Sequence, residues 1–357
     1  MTESKNSHTD SRIAVVILNW NGVDMLRRFL PSVVKGCARE AEVIVADNGS
    51  TDASCEVVER EFPGVRLIRL PENYGFADGY NKALAQVDAD YFVLLNSDVE
   101  VAEGWITPLR DYMDAHPEVG ACQPKLLSQR EPEYFEYAGA CGGYIDRYGY
   151  PFCRGRLFET VERDEGQYDD VCPVFWATGA ALMIRRTDWE SIGGLDGSFF
   201  AHMEEIDLCW RLRSRGRGIV CIPASRAYHV GGATLKKSNP RKTFLNFRNN
   251  LIMLYKNMPD GDLQRALRVR RVLDYVAALK FLLTGDVADC KAVFRARREF
   301  RQVRSNYDAA REENRRLTTL HPIPEMLQGS LLWRYYARGA KTFSRLKAFG
   351  ERMNKES

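Results

Sequence analysis

The sequence has no apolar segment approaching the roughly 18 residues that a membrane-spanning helix requires. It has nine cysteines, but no C-x-x-C pair and no His/Cys spacing typical of a metal site. Scattered cysteines favour reduced thiols and a cytoplasmic protein over a disulfide-bonded one. Residues 1–11 are polar and lack the apolar core of a signal peptide, so we expect a disordered tail there.

An excess of charge of one sign is also missing. The 51 Lys and Arg residues and the 48 Asp and Glu residues leave a formal net charge of +3, which is too small to indicate a nucleic-acid partner. The chain has 357 residues, enough for two compact units or for one large α/β unit with an appendage. It contains no internal repeat and no low-complexity segment.

Four apolar segments in the first hundred residues have the pattern of strands that are buried on both faces. They read IAVVILNW from Ile13, EVIVADN from Glu42, VRLIRL from Val65 and YFVLLNSD from Tyr91. Segments with apolar residues at helical spacing separate them. Strands that alternate with helices predict a parallel, doubly wound α/β sheet.

Polar loops follow all four strands: NWNG, DNGSTD, PENYGFADGYN and NSD. In open α/β sheets, ligands bind at the carboxyl ends of the strands. We therefore expect the four loops to converge on one crevice. The alternative is that Asn, Asp and Gly serve only as turn formers, which is reasonable for any single loop but less so for four in register.

Asp47 ends the second strand and can accept a hydrogen bond from the N3–H of a pyrimidine base. Ser50, Thr51 or Asp52 can cap the next helix, whose positive end favours phosphate or another anion. The alternative is that Asp47 is a turn residue only.

Asn96 and Asp98 end the fourth strand, where alternation predicts that both side chains lie on one face. A carboxylate and an amide oxygen suit a hard cation such as Mg²⁺ or Mn²⁺, held jointly with substrate phosphates. A single carboxylate cannot hold such an ion alone. His229 is a candidate further ligand, although a lone histidine is more often structural.

Three carboxylates stand close together at Glu204, Glu205 and Asp207, before a stretch with helical spacing. Asp207 pairs with Arg211 at i,i+4, whereas Glu205 has no such partner. An unpartnered carboxylate beside other acids and phenylalanines should have a raised pKa, which suits a general base. The alternative is that the acids only complement the helix dipole.

Basic residues concentrate after position 236, and residues 265–305 combine a wide apolar face with arginines. This pattern predicts an interfacial helix on an anionic membrane leaflet. The alternative is a helix that packs on the catalytic domain with its arginines in solvent.

An ordered set of motifs resembles the family 2 glycosyltransferases of the GT-A fold, especially the rhamnosyltransferase-like bacterial members. The resemblance spans roughly residues 12–255 and rests on VVILNWNG, VIVADNGSTD, NYGFADGYNKAL, LLNSD, ATGAALMIRR, GGLDGSFFAHMEEIDLCWRLRSRG and YHVGGATL. It implies a mixed, mostly parallel sheet flanked by helices, with a C-terminal helical extension. It also implies inverting transfer of a sugar from a nucleoside-diphosphate donor to an acceptor hydroxyl. The sugar that the resemblance suggests is rhamnose.

The resemblance implies roles for particular residues. Asp98 matches the last position of the family's Asp-x-Asp metal motif, but Asn96 replaces the first acid, which bears on metal affinity. His229 matches a diphosphate or metal contact. Glu205 fills the position of the catalytic base in the family's Glu-Asp-x-Asp pattern, with Glu204 as the fallback. The donor, a dTDP- or UDP-sugar, is expected to contact Asn19, Asp47, Asn48, Gly75, Asn81, Asn96 and Gly179.

We expect a nucleotide-sugar-binding half at residues 12–100, a metal- and acceptor-binding half at 101–240, and a basic helical extension at 241–357. The acceptor is expected to be a glycan or a lipid-linked sugar, as in polysaccharide assembly, with peripheral contact to the inner face of the plasma membrane. Two other functions compete with this one. A sugar nucleotidyltransferase should carry a glycine-rich basic loop after the first strand, which LNWNGVDML lacks. A non-catalytic relative that binds membranes or partner proteins would not need Asp47, Asp98 and Glu205.

Overall fold

The computed structural model describes residues 12–37, 40–231 and 239–346. The expected tail at residues 1–11 and the last residues of the expected extension, 347–357, lie outside the described residues. The strands, β1 to β14, are Ile13–Asn19, Glu42–Asn48, Arg66–Leu70, Tyr91–Asn96, Val99–Val101, Val119–Ser128, Gly143–Asp146, Pro151–Cys153, Arg156–Leu157, Thr160–Val161, Cys172–Pro173, Ala181–Arg185, Gly218–His229 and Met326–Leu327. The helices, α1 to α10, are Val23–Cys37, Ser54–Glu61, Gly75–Leu84, Ile106–Ala115, Arg186–Ser191, Glu204–Ser214, Pro240–Asn257, Asp260–Leu283, Val287–Val303 and Asp308–Leu317.

The central sheet has nine strands in the order β11-β13-β6-β12-β4-β1-β2-β3, with β5 paired to β13. β4, β1, β2 and β3 are parallel, as the sequence predicts. β12 runs antiparallel between β4 and β6, so the sheet is mixed and mostly parallel. The register pairs Asn19 with Asp47 and Leu18 with Asn96, which brings three polar strand ends to one edge.

The sheet is buried on both faces, which explains why its strands are continuously apolar. Ala14 and Val16 of β1 lie in one hydrophobic cluster, whereas Val15 and Ile17 lie in the cluster on the opposite face. The polar strand ends at one edge of the sheet are therefore held by strands that are packed on both sides.

Residues 128–170, which the sequence motifs leave unassigned, contain most of a second, five-stranded sheet in the order β10-β9-β8-β7-β14. Its strands are two to four residues long, too short for a periodic pattern to be recognised. Its last strand, β14, comes from the C-terminal region, so the far end of the chain helps to build it.

The C-terminal helices belong to the main hydrophobic core. Leu251 and Leu254 of α7, Phe300 of α9 and Ile323 share one cluster with residues of the central sheet. The core is therefore continuous across residue 240, where the sequence suggested a boundary.

The helix α8 buries two charged side chains and exposes a row of apolar ones, unlike an ordinary surface helix. Its buried side carries Arg270 and Asp274, which pair with each other at 3.1 Å and, through Asp274, with Arg297. Its outer side carries an apolar row that we call the α8 stripe: Val272, Val276, Leu279 and Leu283, which are 62%, 57%, 54% and 79% exposed. The expected apolar face thus exists and lies in solvent rather than against the catalytic core. In the described part of the chain, no helix is both long and apolar enough to cross a membrane.

Candidate active site

The donor edge is formed by the ends of β1 and β2. The Asn19 amide nitrogen donates to Asp47 Oδ1 at 3.2 Å and to Ser50 Oγ at 3.3 Å, and the Ser50 backbone N–H donates to Asp47 Oδ2 at 2.9 Å. Asn19 and Asp47 are buried. Among the described residues, the Asn19 Oδ1 atom is buried and has no hydrogen-bond partner. A buried polar atom of this kind calls for a ligand or a water molecule.

Two other predicted donor contacts are engaged within the protein. The Asn48 amide nitrogen donates to the Gly75 carbonyl at 2.9 Å, and its oxygen accepts from the Tyr74 N–H, which fixes the loop before α3. Asn81 exchanges two hydrogen bonds with the main chain of Leu195. Both side chains therefore shape the crevice, and their direct contact with a donor stays a prediction.

Gly75 is one of the glycines that the backbone requires. Its φ is +74°, a left-handed conformation that residues with a side chain rarely adopt, and a Cβ there would lie 2.6 Å from the Phe200 ring. The Phe76 N–H donates to the Phe200 carbonyl at 2.7 Å. The donor loop is thus tied to the segment that precedes α6.

Asp98 and His229 meet where β4 and β13 end. His229 Nε2 lies 3.1 Å from Asp98 Oδ1, and His229 Nδ1 lies 3.2 Å from Glu136 Oε1, off the direction of a good hydrogen bond. The other oxygen of Glu136 accepts the N–H groups of Ala138 and Gly139, both at 2.7 Å, so this carboxylate is fixed. Burial opposes a charge on the imidazole, but the two carboxylates outweigh it and raise the pKa of His229 to about 10.

The Asp98 and His229 pair fits a hard divalent cation. Two donors on neighbouring vertices of an octahedron, each about 2.1 Å from the ion, lie about 3 Å apart, close to the observed separation. Among the described residues, no group of three or more His, Cys, Asp or Glu side chains could hold a metal. An ion here would displace the proton from His229 Nε2 and take its other ligands from substrate oxygens and water, as Mg²⁺ commonly does.

Glu205 faces the turn that precedes β12. The Asn96 N–H donates to the Ala180 carbonyl at 3.0 Å, which anchors the turn beside the end of β4. A Cβ on Gly179 would lie 3.7 Å from the Glu205 Cβ, so the start of α6 faces this turn. The positions of Asn96, Gly179 and Glu205 are thus brought together from three distant parts of the sequence.

Glu204 and Glu205 are both held without a cationic partner. Each has one carboxylate oxygen that is buried and has no hydrogen-bond partner among the described residues. Burial raises the pKa of both, and the neighbouring Glu205 adds to the rise at Glu204. Glu205 is half-buried, whereas Glu204 is buried.

Asp207 anchors the helix that carries these acids. Arg211 pairs with it at 3.0 Å, as predicted, and Lys256 of α7 pairs with it at 2.9 Å and with Asp196 at 2.6 Å. Burial opposes ionisation of Asp207, but Lys256 and Arg211 outweigh it and hold its pKa below the usual range. Of the three acids in the motif, Asp207 therefore anchors the helix, whereas Glu204 and Glu205 have raised pKa values.

Asn249 of α7 holds the loop before α6. Its amide nitrogen lies within hydrogen-bond distance of the carbonyls of Phe199, Ala201 and His202, at 3.0, 2.9 and 2.8 Å. Positive φ angles occur in this loop at Phe200, His202 and Met203, which side chains other than glycine rarely adopt. The helix α7 thus stabilises a strained backbone at the entrance to the candidate base.

Sequence reasoning missed Glu136 and Asn249. Glu136 lies in the segment that has no recognisable period, and nothing in EYFEYAGA marks it. Asn249 lies inside the helix α7, where polar residues are expected on the solvent side. Its unusual position shows only once the helix is packed.

The comparisons with known proteins agree with this geometry. The profile of glycosyl transferase family 2 matches residues 14–178. The N-acetylglucosaminyl-diphospho-decaprenol L-rhamnosyltransferase of Mycobacterium tuberculosis (strain ATCC 25618 / H37Rv) is 31% identical over 235 residues, 61% of this chain and 75% of that protein. Rhamnosyltransferase WbbL of Escherichia coli (strain K12) is 26% identical over 224 residues, 61% of this chain and 83% of that protein.

Solved structures share the fold. GalNAc-T7, crystallised with UDP, GalNAc and Mn²⁺, has a TM-score of 0.56 at 16% identity, covering 89% of this chain and 59% of that one. Residues 1–349 of S. aureus TarS, in complex with UDP-GlcNAc, have a TM-score of 0.54 at 14% identity, covering 85% of this chain and 92% of that one. With the sheet order and the relatives taken together, the chain belongs to glycosyl transferase family 2, has the GT-A fold and is rhamnosyltransferase-like.

Proposed function

We propose that the protein transfers a sugar, rhamnose in the first instance, from a dTDP- or UDP-sugar to a hydroxyl of a lipid-linked glycan during cell-surface polysaccharide assembly. Both rhamnosyltransferases to which it is similar support the sugar, and the name of the mycobacterial relative supports a diphospho-lipid acceptor. The observation that carries the proposal is the unpartnered carboxylate oxygen of Glu205, which lies at a helix start facing the turn at Gly179. That turn is anchored to the end of β4, the strand that leads to Asp98 and its partner His229.

The donor binds across the ends of β1, β2 and β4. Asp47 already accepts one hydrogen bond on each oxygen, and a carboxylate oxygen can accept a second, so it can still receive the N3–H of thymine or uracil. The unpartnered Asn19 Oδ1 offers a further acceptor to the same nucleoside. Gly75 lets the loop before α3 pack closely against Phe200, because a side chain there would collide with that residue.

Asp98 and His229 would hold Mg²⁺ or Mn²⁺ together with the donor diphosphate. The bound ion would supply electrostatic stabilisation of the charge on the leaving nucleoside diphosphate. Asn96, which replaces an acid of the family motif, leaves the pair with one negative charge fewer, and we expect weaker binding of the free ion than a two-acid motif would give.

Glu205 acts as the general base. It takes the proton of the acceptor hydroxyl while that oxygen forms a bond to the anomeric carbon and the bond to the diphosphate breaks on the opposite face. The anomeric configuration is inverted as a result. A raised pKa brings the carboxylate closer to the operating pH, which favours proton transfer. Glu204, which is more deeply buried, is the fallback.

Residues 265–305 contact the membrane that carries the acceptor. The exposed α8 stripe is flanked by Arg268, Arg271 and Lys280, which suits the anionic inner leaflet. The catalytic crevice would then operate on the cytoplasmic face of the plasma membrane.

The experiment that tests the donor site is thermal unfolding with dTDP, UDP and GDP, each with and without Mn²⁺. A ligand at about 100 times its Kd should stabilise the fold by about 2.7 kcal/mol. We expect one pyrimidine diphosphate to stabilise the protein in a Mn²⁺-dependent manner, and Asp98→Asn to remove that effect. Asp88→Asn is the matched control, because Asp88 is an exposed carboxylate in surface ion pairs.

Sugar transfer is tested with the rhamnose derivative of that nucleotide, dTDP- or UDP-rhamnose, as the donor. The acceptor is a short-chain N-acetylglucosaminyl-diphospho-lipid. Mass spectrometry identifies the product, and the coupling constants of its anomeric carbon determine whether the configuration is inverted. The proposal would be contradicted if no nucleoside diphosphate stabilised the protein and no product formed.

A further inference from the structure

A second cavity, of about 590 Å³, opens on the side of Phe200 that faces the C-terminal helices. Its lining includes three arginines and two aromatic rings, which we call the arginine basin: Phe200, Arg241, Phe244, Arg248 and Arg295. Among the described residues, no acidic side chain lines it. A concave surface with three positive charges is a site for an anion.

Two of the three arginines are free to bind a ligand. Arg248 pairs with Glu299 at 2.9 Å and donates to the Ser198 carbonyl, so it supports the wall. Neither Arg241 nor Arg295 has a carboxylate within ion-pair distance anywhere in residues 12–37, 40–231 or 239–346. Each guanidinium instead lies over an aromatic ring, 4.7 Å from the Phe200 centroid and 4.2 Å from the Phe244 centroid. Stacking fixes the plane of a guanidinium and leaves its N–H groups available.

The arginine basin adjoins the catalytic crevice. Phe200 contributes one wall, and its carbonyl accepts the Phe76 N–H on the donor side. The Phe76 ring faces the turn at Gly179, where a Cβ would lie 3.1 Å from it, and the same turn faces Glu205. A ligand in the basin can therefore extend towards the candidate base.

The opposite rim of the basin leads to the α8 stripe. Phe294, the neighbour of Arg295 on α9, is 53% exposed and stacks on Tyr275 of α8 with 5.3 Å between ring centroids. Tyr275 adjoins Val276 in the stripe. The surface thus runs from a carboxylate, through an anion site, to exposed apolar side chains.

We propose that the arginine basin binds the diphosphate of the lipid-linked acceptor, with the acceptor sugar directed to Glu205 and the lipid lying along the α8 stripe. This assignment rests on the proposed function, which supplies the acceptor class. The order of sugar, diphosphate and lipid in such a molecule matches the order of carboxylate, arginines and apolar stripe. The donor diphosphate is already accounted for by Asp98 and His229.

The test is isothermal titration calorimetry with geranyl diphosphate, and with geraniol as its uncharged match. The protein is titrated both free and saturated with Mn²⁺ and its preferred nucleoside diphosphate, so that the donor site is filled in one series. The variants are Arg241→Ala, Arg295→Ala and the double variant. Arg301→Ala, an exposed arginine on the same helix outside the basin, is the control. Melting temperatures verify that each variant is folded.

We expect geranyl diphosphate to bind with the donor site filled, geraniol not to bind, and each basin variant to weaken binding by about tenfold or more. The Arg301→Ala variant should bind as the wild type does. Equal affinity in the double variant and the wild type, or binding that disappears once the donor site is filled, would overturn the assignment.

A third arm separates an acceptor site from a general site for membrane headgroups. If the double variant loses binding to phosphatidylglycerol vesicles but keeps its affinity for geranyl diphosphate, the basin is a headgroup site and the assignment is wrong. Failure of the proposed function is recognised separately, because it appears as absent nucleotide stabilisation and absent sugar transfer. The titration of the free protein does not depend on either.

Discussion

Replacing Glu205 by glutamine tests the central chemical step. The substitution keeps the size and shape of the side chain but removes its ability to take a proton. Glu205 is half-buried beside the Gly179 turn, and one of its carboxylate oxygens is buried without a hydrogen-bond partner in the described part of the chain. No internal ion pair would be lost with it, so the fold should tolerate the change.

The expected magnitude follows from the role. A positioned general base contributes about 10² to 10⁴ in rate, so kcat should fall by that factor in Glu205→Gln. Glu204→Gln is the matched variant on the next position of the same helix, and we expect its kcat to fall by less than about tenfold. In both variants the donor KM and the stabilisation by nucleoside diphosphate should stay unchanged, because neither acid is placed at the nucleotide.

The assay is the initial rate of sugar transfer at saturating donor and acceptor, with nucleotide-dependent melting as the check on binding. A Glu205→Gln enzyme as active as the wild type, beside an inactive Glu204→Gln enzyme, would move the base to Glu204. Full activity in both variants would refute the reasoning that either of the two carboxylates with a raised pKa is catalytic.

Three further changes test the surroundings of the site. Glu136→Gln should weaken Mn²⁺ binding by about 10- to 100-fold, because Glu136 orients His229, and unchanged affinity in a Mn²⁺ titration followed by electron paramagnetic resonance would contradict this. Lys256→Met leaves the buried Asp207 with only one cationic partner and should lower the free energy of unfolding by about 3 kcal/mol, measured in urea; a loss below about 1 kcal/mol would contradict the anchor role. Burial raises the pKa of Asp146 to about 6. The folded state therefore holds that proton more tightly than the unfolded chain, and stability should decline as the pH rises from about 4 to 6. Asp146→Asn should flatten this part of the urea-unfolding profile, and an unchanged slope would contradict it.

The sequence predicted the parts of the fold that are built from long segments with a regular apolar pattern. β1 to β4 and the helices between them are recognisable because β1, β2 and β4 are buried on both faces and the edge strand β3 buries Ile68 and Leu70. The loops at Asn19, Asp47 and Asn96 converge as expected. The second sheet was not predictable, because its strands are two to four residues long and one of them comes from the far end of the chain.

The candidate site was predictable to the extent that it depends on motifs. Asp98, His229 and Glu205 were identified from the sequence and lie in one region of the structure. Glu136 and the pairing of Asp207 with Lys256 depend on contacts between distant segments, which no local pattern contains. Similarly, the apolar side of α8 was evident, but only packing reveals that it lies in solvent while Arg270 and Asp274 are buried.

The contact of Asn249 with the loop at residues 199–202 has a consequence for how the protein can be divided. The family profile ends at residue 178, before Glu205 and His229, so a chain trimmed to the profile would lose the candidate base and one member of the metal pair. A chain trimmed after β13 would keep both, but it would lose the contacts that Asn249 makes with the left-handed backbone directly before Glu204, and this stretch has no reason to keep its shape alone. We therefore expect the minimal catalytic unit of this glycosyltransferase to extend through α7, beyond the limit of the family profile. A swap of C-terminal helices between relatives would exchange part of the catalytic apparatus, not an inert attachment.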